Sequence, residues 1–152
     1  MHATASLEAA VAAILPKYTE EGDTTEICLA DGTAITRPHR LRTILRQLAR
    51  QRAIDLVALK TQAARTTGCT NLQVLPLGPD LVLFPVKVRT PRITGDPSTG
   101  YVNALQVKSV QKATQSAYPS VISLTCGRMI PALWTTSTID KYLRAARLLA
   151  AI

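Results

Sequence analysis

Arg37, Arg40, Arg42, Arg46, Arg50 and Arg52 crowd into one short stretch of the chain, and Lys60 and Arg65 follow. A guanidinium is planar, always charged, and carries donors in a fork that fits a phosphate or a guanine edge bidentately. Arg42, Arg46 and Arg50 recur every fourth residue, which places them on one side of a helix. A second group, Lys87, Arg89 and Arg92, leads into a segment rich in glycine and proline. Lys87 and Arg89 are two residues apart and share a strand face, and strand-borne bases can enter a nucleic-acid groove. The plain alternative for both groups is a solvated basic surface. Acidic partners at helical spacing, which such a surface normally carries, are scarce here.

Groups able to transfer protons, attack carbonyls or hold metals are few. The two histidines are His2, at the terminus, and His39, inside the arginine-rich stretch. Cys28, Cys69 and Cys126 are odd in number and far apart, which gives neither a disulfide framework nor a zinc site. Phosphate-loop, nucleophile-elbow and dinucleotide motifs are missing; the segment Gly95-Asp96-Pro97-Ser98-Thr99-Gly100 reads as a turn. The chain is therefore expected to be no enzyme, with no catalytic residue, metal or cofactor.

The net charge is +8, and it is unevenly distributed. Residues 1–36 hold six acids and only Lys17 as a base, residues 37–65 hold eight bases and only Asp55 as an acid, and no glutamate follows Glu26. Such segregation costs self-repulsion unless a polyanion relieves it. Nucleic acid is the first partner to consider and an anionic membrane surface the second. Hydrophobic residues make up 47% and aromatics 4%, which predicts an aliphatic core. No apolar run is long enough to span a bilayer, and the first fifteen residues lack the early bases of a signal peptide. With unpaired cysteines, this predicts a cytoplasmic protein.

The elements that must position these bases read as follows. Ser6 caps a helix carrying Leu7, Val11, Ile14 and Leu15, which Pro16 stops. Thr24 to Ala30 and Thr33 to Thr36 form a hairpin around Asp31-Gly32. Thr36-Arg37-Pro38 opens a helix with Leu41, Ile44, Leu45 and Leu48 inward. Asp55 caps a second helix that Gly68 ends. Leu72 to Leu77 and Leu81 to Val88 form a hairpin, with Pro76 and Pro85 marking edges or bulges. A loop follows, then a strand from Tyr101 to Val110, a hairpin around Cys126-Gly127, and a last helix capped by Ser137. The predicted fold is α+β: one mostly antiparallel sheet domain over 1–152. It comprises an acidic helix and hairpin (1–36), an arginine-rich helical segment (37–68) and a β-rich part with a closing helix (69–152).

In this order, the pieces resemble the ComK-type competence transcription factors. Ala13-Ile14-Leu15-Pro16 is similar to the family's opening segment, and Leu72 to Leu77 to its proline-containing strand. Leu81-Val82-Leu83-Phe84-Pro85 is similar to its F-x-F-P strand, Gly100-Tyr101-Val102-Asn103 to its aromatic-led strand, and Leu124 to Pro131 to its hairpin. Ala58-Leu59-Lys60 stands where that family has a Gly-Arg-Lys-like patch. The part from Tyr101 to Leu149 also resembles LytTR-type DNA-binding domains, which implies a DNA contact at Asn103.

These resemblances imply a bacterial transcription regulator that binds duplex DNA as a homo-oligomer, at AT-rich sites if it follows the first family. The residues expected to touch DNA are Arg37, Arg40, Arg42, Arg46, Arg50, Lys60, Arg65, Lys87, Arg89, Arg92 and Asn103. The alternative is a regulatory interaction module whose basic face meets an acidic protein partner. RNA is disfavoured by the shortage of aromatics on which bases could stack.

Overall fold

The computed structural model describes residues 11–69, 72–114 and 117–150. It is an α+β fold, as the sequence predicts: two antiparallel sheets and three helices among the described residues. The strands are β1 (Val11–Thr19), β2 (Gly22–Leu29), β3 (Ala34–Arg37), β4 (Leu75–Gly78), β5 (Leu81–Lys87), β6 (Thr99–Asn103), β7 (Val107–Lys112), β8 (Ser120–Leu124) and β9 (Met129–Ala132). The helices are α1 (Leu41–Gln51), α2 (Leu56–Thr67) and α3 (Thr136–Ala150). The large sheet has the order β3-β2-β1-β6-β5-β4, and the small one β7-β8-β9.

Strand alternation divides the large sheet between two cores. Leu81 and Leu83 of β5, Ile27 of β2 and Tyr101 of β6 face one side, where Leu41, Ile44, Leu45 and Leu48 of α1 cover them. Val82, Phe84 and Val86 of β5, Cys28 of β2 and Val102 of β6 face the other. There the small sheet (Ile122, Leu124, Ile130) and α3 (Ile139, Tyr142, Leu143, Ala146) form the cover. Trp134 packs against this second core and stacks on Tyr142 at 5.2 Å.

Several elements differ from the sequence reading. Val11 to Leu15 is strand, not helix; Ser6 and Leu7, the expected start of that helix, lie outside the described residues. Ala12, Ala13 and Ile14 are all fully buried because β1 is covered on both faces, which replaces alternation by a continuous apolar run. Pro16 lies within β1, but β6 pairs with β1 only at Ala13 and Ile14, so the strand is an edge there. Thr36 and Arg37 belong to β3, and α1 begins only after Arg40. Thr25 Oγ1 donates to the His39 carbonyl at 2.7 Å and fixes the intervening turn. Pro85 is buried and pairs with Tyr101 of β6, but β4 pairs with β5 only from Leu81 to Leu83, so β5 is likewise a local edge at Pro85. The last helix is capped by Thr135, whose Oγ1 accepts from the Thr138 amide, rather than by Ser137.

Both ends of α2 follow the sequence. Asp55 accepts from the Ala58 amide, and Gly68 takes the left-handed conformation at φ +77°. The end of α1 is less legible. Ala53 adopts φ +57°, while the amides of Ile54 and Ala53 bond to the carbonyls of Ala49 and Arg50 in a Schellman pattern. Arg52, beside it, donates to the Leu77 carbonyl (3.2 Å) and with both terminal nitrogens to the Asp80 carboxylate (2.9 and 3.0 Å). This fork ties the end of α1 to the β4–β5 turn. The guanidinium passes over Gly78, where a Cβ would collide with it.

The expected strand from Tyr101 to Val110 breaks at Asn103, which is 1% exposed. Its Oδ1 accepts from the amides of Val82 (3.3 Å) and Leu105 (3.2 Å), and its Nδ2 donates to the carbonyls of Val11 (3.0 Å) and Asp80 (3.1 Å). The Leu105 bond caps a 3₁₀ turn, Ala104–Gln106, that carries the chain from one sheet to the other. Asn103 is thus a structural joint and not a surface group.

Two expectations follow. Asn103→Ala leaves four backbone groups short of a partner, those of Val82 and Val11 in buried contacts and those of Asp80 and Leu105 in part-buried ones, and is expected to cost about 2–4 kcal/mol. Thermal unfolding reads this directly, and an unchanged Tm would refute the role. The Arg52 fork also holds the Asp80 carboxyl below its ordinary value. A depressed folded-state value stabilises above the unfolded pKa of about 3.9 and is lost as pH falls through the folded one. The Tm gap between wild type and Arg52→Gln is therefore expected to be full at pH 7 and to narrow as pH falls below about 4, down to what the Leu77 contact contributes.

Candidate nucleic-acid interface

The buried stripe of α1 fixes what its other side presents. Arg42, Arg46 and Arg50 point to solvent, spread over about 12 Å of helix axis at 1.5 Å per residue. Lys60 is half-buried and Arg65 exposed on α2. Arg42, Arg46 and Lys60 line one cleft, Arg46 and Arg50 a neighbouring hollow, and Lys60 and Arg65 another. The five side chains therefore form one continuous surface. None of them has an ion pair or hydrogen bond among the described residues.

Other expected contacts lie elsewhere. Arg37 is half-buried and lines a hollow with His39, Gln47 and Gln51, on the opposite flank of α1. Lys87, half-buried, ends β5. Asn103 belongs to the interior, as described above.

Arg40, Arg89 and Arg92 converge on the tip of the β1–β2 hairpin. Arg40 lies 3.0 Å from Asp96 and 3.8 Å from Asp23, and also donates to the Gly95 carbonyl. Arg89 is 2.8 Å from Asp23, a charge contact rather than an aligned hydrogen bond, and its Nε donates to the Pro97 carbonyl. Its guanidinium stacks over the Tyr18 ring at 4.0 Å, and that of Arg92 does so at 4.6 Å. The Tyr18 hydroxyl donates to Asp96 (2.7 Å) and accepts from the Arg92 amide (2.8 Å). The side chains of Arg89, Asp23 and Asp96 are only about a tenth exposed (11%, 10% and 11%). The loop after β5 is thus latched down, and two of the three arginines, Arg40 and Arg89, are neutralised within the fold.

Tyr18, Asp23 and Asp96 did not stand out in the sequence. The contacts of Tyr18 lie more than seventy positions away along the chain, and no local pattern marks them. Among the described residues no cluster of three or more histidine, cysteine or acidic side chains is arranged to hold a metal, and no helix is long and apolar enough to cross a membrane. Comparison of the chain with protein-family models, with curated proteins and with solved structures gives no match.

The latch can be taken apart in two stages. Tyr18→Phe keeps the ring beneath the arginines and removes two hydrogen bonds, one of them to a carboxylate. The expected loss is about 1–2 kcal/mol, or roughly 2–8 °C in Tm. Tyr18→Ala is expected to lose more and to speed amide exchange across residues 89–98. Equal exchange in all three proteins would show that Tyr18 does not hold the loop.

Proposed function

We propose that the protein binds duplex DNA through the exposed arginine face of α1 and the adjoining bases of α2, as a transcription regulator and not as an enzyme. The observation that carries this reading is the division of the arginines. Arg40, Arg52 and Arg89 are paired with carboxylates, whereas Arg42, Arg46, Arg50, Lys60 and Arg65 share one surface without a carboxylate partner among the described residues. Unpaired cations held on a rigid helix repel one another, and a polyphosphate backbone relieves that repulsion while releasing counterions. A helix of this kind also fits the width of a DNA major groove.

The regulator part of the reading draws on the chain-order resemblance to ComK-type factors, and so does a preference for AT-rich sites. Arg92, exposed on the loop beside the equally exposed Ile93, is the described base best placed to reach a narrow minor groove there. Phosphate contacts from α1 and α2 would set affinity and register, and base contacts would set sequence preference.

Fluorescence anisotropy with AT-rich and GC-rich duplexes, repeated across salt concentrations, tests both parts. Five neutralised phosphates predict a slope of log K against log salt of about −4 to −5. Replacing Arg42, Arg46 and Arg50 together by alanine is expected to flatten the slope by about three and leave Tm unchanged. A flat response in the wild-type protein would overturn the DNA reading and direct the same face to an acidic protein surface. Equal affinity for both duplexes would remove the sequence preference alone.

A further inference from the structure

We infer that the cleft between α1 and the 95–99 segment is a seat for a phosphate group. The inference rests on the DNA reading for one source of that phosphate and is independent of it for the other. The cleft encloses about 640 Å³, within the range of small-ligand sites of roughly 300–1,000 Å³. Arg42 and Arg46 enter it from α1 and Lys60 from α2. Its one carboxylate, Asp96, is already held by Arg40 and by the Tyr18 hydroxyl. Arg42, Arg46 and Lys60 therefore meet no opposing charge.

Two further features separate this place from a plain basic surface. Thr43, Ser98 and Thr99 line it, and their side-chain hydroxyls bond nothing else among the described residues. Leu45, Leu56 and Tyr101 supply apolar wall, and the adjacent apolar surface strengthens charge–charge attraction by displacing water. Three unopposed cations and three uncommitted hydroxyls around one concavity match the acceptor oxygens of a phosphate. That phosphate belongs either to a nucleic-acid backbone or to a small phosphorylated molecule; the recognition chemistry is the same for both.

The test is an NMR titration of the full chain with inorganic pyrophosphate at constant ionic strength. Saturable shifts are expected at the amides of Thr43, Lys60, Ser98 and Thr99. The apparent Kd is expected to rise about tenfold or more in Arg46→Ala and in Lys60→Ala. Arg147→Ala, on α3 in the opposite layer, is the control and should leave it unchanged. Shifts that never saturate, that spread evenly over the basic surface, or that persist unaltered in Lys60→Ala would overturn the seat. A second arm adds the AT-rich duplex. Displacement of duplex by pyrophosphate assigns the seat to a backbone phosphate, and simultaneous binding assigns it to a separate small ligand. Pyrophosphate binding in the cleft without any duplex binding leaves the seat standing and removes the DNA reading. Duplex binding without pyrophosphate binding in the cleft does the reverse.

Discussion

Both faces of the six-stranded sheet are apolar, and neither can be left in water. Phe84, Val82 and Val86 on one side and Leu81, Leu83 and Ile27 on the other are almost completely buried. At roughly 25 cal/mol per Å² of apolar surface, exposing either face would forfeit a large part of the driving force for folding. The covers are therefore obligatory: α1 on one face, the small sheet with α3 on the other. Once Leu41, Ile44, Leu45 and Leu48 are committed to the sheet, the residues between them have no freedom of direction. The arginine row is exposed because the leucine row is buried. The surface proposed for DNA is in this sense a consequence of how the sheet is sealed.

The connections that hold these layers together are polar and few. Asn103 joins the start of β1, the β4–β5 turn, β5 and the 3₁₀ turn through one side-chain amide. Arg52 fixes the end of α1 to the same β4–β5 turn through Asp80. Asp80 thus receives Arg52 on its side chain and Asn103 on its carbonyl. The helix that carries the basic face and the point where the chain changes sheets are referenced to a single turn. An arginine row offered to a duplex needs such a reference, since a bidentate contact tolerates little rotation of the helix beneath it.

What the sequence disclosed, and what it hid, follows from the range of the interactions involved. Local signals were legible: Asp31-Gly32 as a turn, Asp55 and Gly68 as the ends of α2, and the four-residue repeat of α1. Each is decided by residues within a turn or two of one another. Val11 to Leu15 was not legible, because a strand buried on both faces has no alternation and its apolar residues also satisfy a helical spacing. The DNA contact expected at Asn103 rested on the LytTR-type resemblance alone, and nothing local in the sequence brings its partners at Val11 and Asp80 to it. The same holds for Arg89. Its charge suggested a ligand contact, and its neutralisation by Asp23 depends on a hairpin tip far away in the chain.

The two basic groups therefore stand on different physical footings. Around Tyr18, the carboxylates of Asp23 and Asp96 occupy the positions that phosphates would take, so Arg40 and Arg89 could serve a polyanion only by giving up contacts they already have. Along α1 and α2 there is nothing to give up. A cation on an exposed helix keeps most of its hydration, and the gain on meeting a phosphate is dominated by counterion release rather than by a new buried pair. The acids of this protein are thus as informative as its bases. Where Asp23, Asp80 and Asp96 hold an arginine, it builds the fold; along α1 and α2 the arginines carry no such pairing among the described residues.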